Sequence, residues 1–120
     1  MIELFVYLIM GHALADFSLQ TQPMAEGKNR NRPVDLSKIP PGQKIQTVWP
    51  YWMGAHCLIH GGMVALITGY FALGVCEVVA HLMIDILKCE NRTGIHTDQA
   101  LHFFCKIVWV LLVLLVETAT

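Results

Sequence analysis

Residues 70–88 read YFALGVCEVVAHLMIDILK, and this stretch decides the fold. Most of its side chains are apolar, and Glu77, His81 and Asp85 interrupt it at intervals of four. Residues four apart lie on one helix face, one turn above the other. An ionisable group at membrane depth must turn towards a bundle interior or an aqueous cavity. A polar stripe on a greasy helix therefore predicts lipid on the outside and polar neighbours within. The same spacing recurs at His12/Asp16, His56/His60 and Asp98/His102, each within or at the edge of its own apolar run. The expected fold is all-α, an integral membrane bundle of four transmembrane helices.

Composition agrees with that reading. The 120 residues leave room for one domain, and they are 55% hydrophobic but only 14% charged. Soluble domains carry about 25% charged residues. A formal net charge of −1 lacks the basic footprint of a nucleic-acid binder. The expected spans are about 2–19, 49–68, 70–87 and 100–116, each near the length that crosses a bilayer. The amino terminus lacks the basic region of a cleavable signal, so the first span reads as retained.

Charge sets the expected orientation. The 21–48 loop holds Lys28, Arg30, Arg32, Lys38 and Lys44 against Glu26 and Asp35, and the next loop adds Lys88 and Arg92. Basic loops stay in the cytoplasm, so both termini are expected outside the cytoplasmic (inner) membrane. Trp49, Tyr51 and Trp52 then mark the cytoplasmic interface. Pro33, Pro40 and Pro41 break any long helix in the first loop. Its Lys28–Arg32 run reads as a topology determinant, or as a contact for anionic headgroups or a phosphorylated substrate. Cys57, Cys76 and Cys105 read as small buried hydrophobes, with Cys89 nearer solvent.

This topology puts all four polar pairs near the cytoplasmic side. His12, Asp16, His56, His60, His81, Asp85, Asp98 and His102 are the candidate metal ligands. Imidazole and carboxylate together suit Zn, with Fe or Mn as alternatives. The set is larger than one tetrahedral ion uses, so some members orient ligands or the site holds two ions. Glu77, Asp98 and Lys106 are the candidate catalytic groups, as proton acceptors or as a stabiliser of a developing anion. Gln20 extends the first stripe and can cap its helix.

The combination also resembles a family of small bacterial and phage integral membrane proteins of unknown function. The resemblance rests on His12-Ala-Leu-Ala-Asp16-Phe17-Ser-Leu19-Gln20, His56-x-x-x-His60, His81-x-x-Ile84-Asp85-x-x-Lys88 and Asp98-Gln99-x-x-His102, in that order. It implies a helical membrane protein with inward His and Asp residues and carries no established activity. The Pro-containing 29–48 segment is longer than that family's usual connection. In motif style alone, the pattern is also similar to membrane-embedded zinc hydrolases.

Three functions compete at this point. One is a metal-dependent hydrolase acting on a lipid or lipid-linked (phospho)ester at the cytoplasmic leaflet. Another is a divalent-metal or proton pathway. The third is a structural bundle with a polar or metal-stapled core that acts through a partner. Membrane lipid is the expected partner, nucleic acid is not, and homo-oligomers are compatible with small residues such as Gly54, Ala55, Gly61 and Gly62.

Overall fold

The computed structural model describes residues 1–119. Helix α1 (Ile2–Ala13) continues into a π-helical turn at Leu14–Ser18. A short α2 (Gln22–Gly27) and a 3₁₀ turn (Leu36–Lys38) follow, then α3 (Trp49–Thr68), α4 (Phe71–Cys89) and α5 (Ile95–Ala119). No strand occurs among the described residues. The fold is all-helical.

Local chemistry sets the boundaries. The Thr21 hydroxyl accepts the Met24 amide at 3.4 Å and starts α2. Pro50 sits in the first turn of α3, where its missing N–H costs nothing. Gly69 ends α3 at φ +76°, a left-handed conformation that a Cβ disfavours. This sharp stop lets α4 fold back along α3. The two helices pack at Gly61 and Gly74, where a Cβ on Gly61 would lie 2.6 Å from the Gly74 carbonyl oxygen. Gly61→Ala is therefore expected to destabilise the bundle by about 1–3 kcal/mol. Thermal unfolding in detergent measures it, and an unchanged midpoint would mean that the helices separate freely.

The interior is more polar, and the outside more apolar, than in a soluble protein. Leu8, Val64, Trp109 and Val110 form a small apolar cluster. Among the described residues, eleven polar or charged ones are buried as well. Meanwhile Leu66 is 82% exposed and Phe71 80%, with Phe17, Met83, Phe104 and Leu115 also on the outside.

Several expectations change. Helix α5 alone, among the described residues, is long and apolar enough to cross a membrane by length and composition. Helix α1 has only 12 residues before its π turn. His56 and His60 dilute α3, and Glu77, Asp85 and Lys88 interrupt α4. Helix α5 also starts at Ile95 rather than 100, which brings Asp98 and His102 inside its opening turns. Cys57 is buried, but Cys76 is exposed and Cys105 is only half-buried. Cys76 follows the outer face of α4, which an apolar run does not distinguish from the inner one.

Candidate metal centre

Helices α1, α3, α4 and α5 and the π turn bring all the sequence-predicted site residues inside the bundle. His12, Asp16, His56, His60, Glu77, His81, Asp85, Asp98, His102 and Lys106 are all buried, and the most exposed, Asp16, shows 8% of its surface. The π turn positions that aspartate. Its signature is the Leu19 amide, which donates to the Leu14 carbonyl five residues back at 2.9 Å. Gln20 then donates to the Asp16 carbonyl at 3.1 Å and covers one loosened backbone acceptor.

Three ligand atoms converge around Asp16. Its Oδ1 lies 3.4 Å from His56 Nε2 and 3.4 Å from His60 Nε2. A tetrahedral ion with bonds of about 2.05 Å holds its ligands about 3.3 Å apart. His60 Nε2 has no hydrogen-bond partner although it is buried, a position that a ligand would satisfy. His81 faces the same space, with Nε2 3.1 Å from His56 Nε2. Asp16, His56, His60 and His81 together could hold an ion. The ring planes refine that set. His81 stacks on His60 at 3.6 Å and 22°, and on His102 at 4.1 Å and 25°. Imidazole lone pairs lie in the ring plane, so stacked rings send them side by side. His60 and His81 therefore do not both point at one ion, and the contacts to Asp16 favour His56 and His60 as its partners.

Charge separates the carboxylates further. Lys28 donates to Asp85 Oδ2. Lys88 donates to Asp98 Oδ2 at 2.8 Å. Lys106 and the Trp109 indole each donate to Glu77 at 2.5 Å. Asp16 instead has His12 at 3.6 Å, the Gln99 amide at 2.9 Å and the two α3 histidines. Three buried carboxylates have their own ammonium group and Asp16 does not. A buried carboxylate without a cation beside it is costly, so this group has a place for one.

Some participants have a role that their spacing does not indicate. Lys28 belongs to a basic run read as a topology signal or headgroup contact, yet it is buried on Asp85. Helix α2 delivers it: Met24 is buried, and a Cβ on Gly27 would lie 2.3 Å from the Trp52 ring. Gln99 accepts from His12 Nε2 at 3.2 Å while donating to Asp16, so it links α1 to α5. Trp109 sits in the apolar run of α5 and donates its indole N–H to Glu77. In the loop, the Ser37 hydroxyl and amide bond Asp35 and hold its carboxyl below the usual range.

No family model, curated protein or solved structure matches this chain. The site geometry therefore carries the functional reading.

Proposed function

We propose that this chain is an integral membrane metalloenzyme that hydrolyses a lipid or lipid-linked ester at the cytoplasmic leaflet. The observation that carries this reading is the convergence of Asp16, His56 and His60 on one buried point without a lysine to neutralise the aspartate. Two imidazoles and one carboxylate suit zinc, and the same triad suits Fe(II). Three protein ligands leave a position open, as catalytic zinc sites do. A bound ion would lower the pKa of water and polarise the ester.

The remaining residues have roles that follow from their contacts. His81 presents Nε2 beside His56, within reach of a water at the open position, while its Nδ1 lies 3.5 Å from Glu77. Glu77 orients the ring and favours the tautomer whose Nε2 accepts a proton. Lys106 and Trp109 hold Glu77 in turn. His81→Gln is expected to lower turnover about 10²–10⁴-fold while metal content stays at the wild-type value. Joint loss of metal and turnover would instead make His81 a ligand.

The apolar outside supports four buried-stripe helices within a bilayer, since a monomer in water rarely exposes such apolar area. Helix α5 has 25 residues, or about 37 Å at 1.5 Å per residue, against a hydrocarbon core of about 30 Å. An apolar groove of about 730 Å³ between α1 and α3 is lined by Tyr7, Met10, Leu14, Phe17 and Met63, and it ends beside the π turn. Its lining suits an acyl chain whose headgroup reaches Asp16.

Elemental analysis of detergent-purified protein beside His56→Ala/His60→Ala tests the metal. Release of product from phospholipid in mixed micelles tests the activity. Bound metal without turnover would move the balance to a second reading. In that reading the polar stripe, which continues past the histidines to Glu77 and Lys106, conducts protons or metal. Flux into proteoliposomes distinguishes it.

A further inference from the structure

We infer that Asp85, Asp98 and His102 form a second, weaker cation site, joined to the first through a bridging Asp85 carboxylate. The inference rests on the metal reading above and narrows its substrate to a phosphoester. The side chains divide their atoms in a way that points to it. In both aspartates a lysine takes Oδ2, Lys28 on Asp85 and Lys88 on Asp98. Both Oδ1 atoms turn instead towards His102 Nε2, at 3.6 Å from Asp85 and 3.7 Å from Asp98.

Two of these three atoms lack any hydrogen bond. Asp98 Oδ1 and His102 Nε2 are both unpartnered in residues no more than 1% exposed. Buried polar atoms without partners call for an occupant. The separations are again close to those between ligands of one ion. Asp85 also reaches the other site, because the Oδ2 that Lys28 holds lies 3.4 Å from His56 Nε2 as well, so a bridge would share that oxygen with Lys28. One carboxylate thus faces two ligand groups with its two oxygens.

Electrostatics ranks the sites. The Asp16 group offers an unneutralised charge, whereas the Asp85/Asp98 group already holds two ammonium groups. A cation entering the second group must overcome them. Lys88 is the easier to displace, since its side chain is 32% exposed and can swing to water, while that of Lys28 is 7% exposed. The second site should therefore bind at least about tenfold more weakly than the first, given the size of such charge interactions.

Paired cations clamp both the attacking and the leaving oxygen of an in-line displacement at phosphorus. In that reaction the bond from water oxygen to phosphorus forms and the bond from phosphorus to the alcohol oxygen breaks. His81 takes the water proton, and the departing alcohol oxygen, on the far side of phosphorus, takes its proton from solvent.

Titration of the metal-stripped full chain with Zn(II), and with Mn(II) followed by electron paramagnetic resonance, tests the proposal. Wild type should bind two equivalents in distinct steps, with two Mn(II) ions showing exchange coupling. Asp98→Asn/His102→Ala should keep the tight equivalent, which also reports folding, and lose the weak one. Lys88→Ala should tighten the weak step about tenfold, an effect that a merely structural lysine would not give. Asp85→Asn should abolish the coupling. One equivalent in wild type at saturation would overturn the second site and leave the hydrolase reading intact. No bound metal would overturn both. Two uncoupled ions, or a weak step unmoved by Lys88→Ala, would overturn the bridge or the lysine competition respectively.

Discussion

Asp16→Asn is expected to remove tightly bound metal and to lower turnover by about 10³-fold or more, with the bundle still folded. Asparagine preserves the size of the side chain and an oxygen that can accept from Gln99. It removes the negative charge, and Asp16 is the buried carboxylate that no lysine neutralises. The loss in affinity should exceed about 100-fold, because even weakening a partner that supports a ligand costs 10–100-fold. Without an ion, nothing would lower the pKa of the attacking water, which accounts for the lost rate. Asp98→Asn is the informative contrast. Asp98 has Lys88 at 2.8 Å, so the tight equivalent should survive its neutralisation. Metal content and unfolding midpoint, measured on the same samples, decide between a lost ligand and a lost fold. Equal losses of the tight metal in the two variants would refute the ranking of the carboxylates by charge.

The repeating unit of this centre was legible because a helix has a fixed period. His12/Asp16, His56/His60, Glu77/His81/Asp85 and Asp98/His102 share faces whatever the neighbouring helices do. Their burial followed from the surrounding apolar residues, since a charged stripe has no stable place against lipid. The Lys106–Glu77 pairing was also within reach, as Lys106 continues the α5 stripe by another turn. The ranking among the carboxylates was not legible. It depends on which ammonium group reaches which oxygen and on how three imidazoles stack, and neither is a property of spacing. Lys28 shows the difficulty best. Within Lys28-Asn29-Arg30-Asn31-Arg32 nothing marks it apart, and its burial is decided by Met24 and by Gly27 packing on Trp52. The π turn was equally silent in sequence, though its extra residue changes where Asp16 points. Cys76 failed for another reason: an outward and an inward position of this helix have the same apolar composition, so apolar context does not report burial.

Glu77→Ala is expected to lower stability by about 3–5 kcal/mol, the usual effect of leaving one member of a buried ion pair alone. Lys106 and Glu77 are each about 1% exposed, and the Trp109 indole would lose its acceptor too. The pair need not stabilise the fold in absolute terms. Desolvating two ions offsets much of their attraction, so an apolar pair of similar volume can be as stable. Glu77→Leu/Lys106→Met should therefore recover most of the midpoint lost in Glu77→Ala, leaving the indole as the residual defect. Yet it should remain a poor enzyme, because His81 loses the carboxylate 3.5 Å from its Nδ1. Stability recovered with turnover still low assigns Glu77 to positioning His81 rather than to holding the helices together. If both recover, the pair is only interhelical glue and His81 works without a carboxylate to hold it. A wild-type midpoint for Glu77→Ala itself would mean that Lys106 escapes along its flexible stem to water, and that the inner end of the stripe is open rather than sealed.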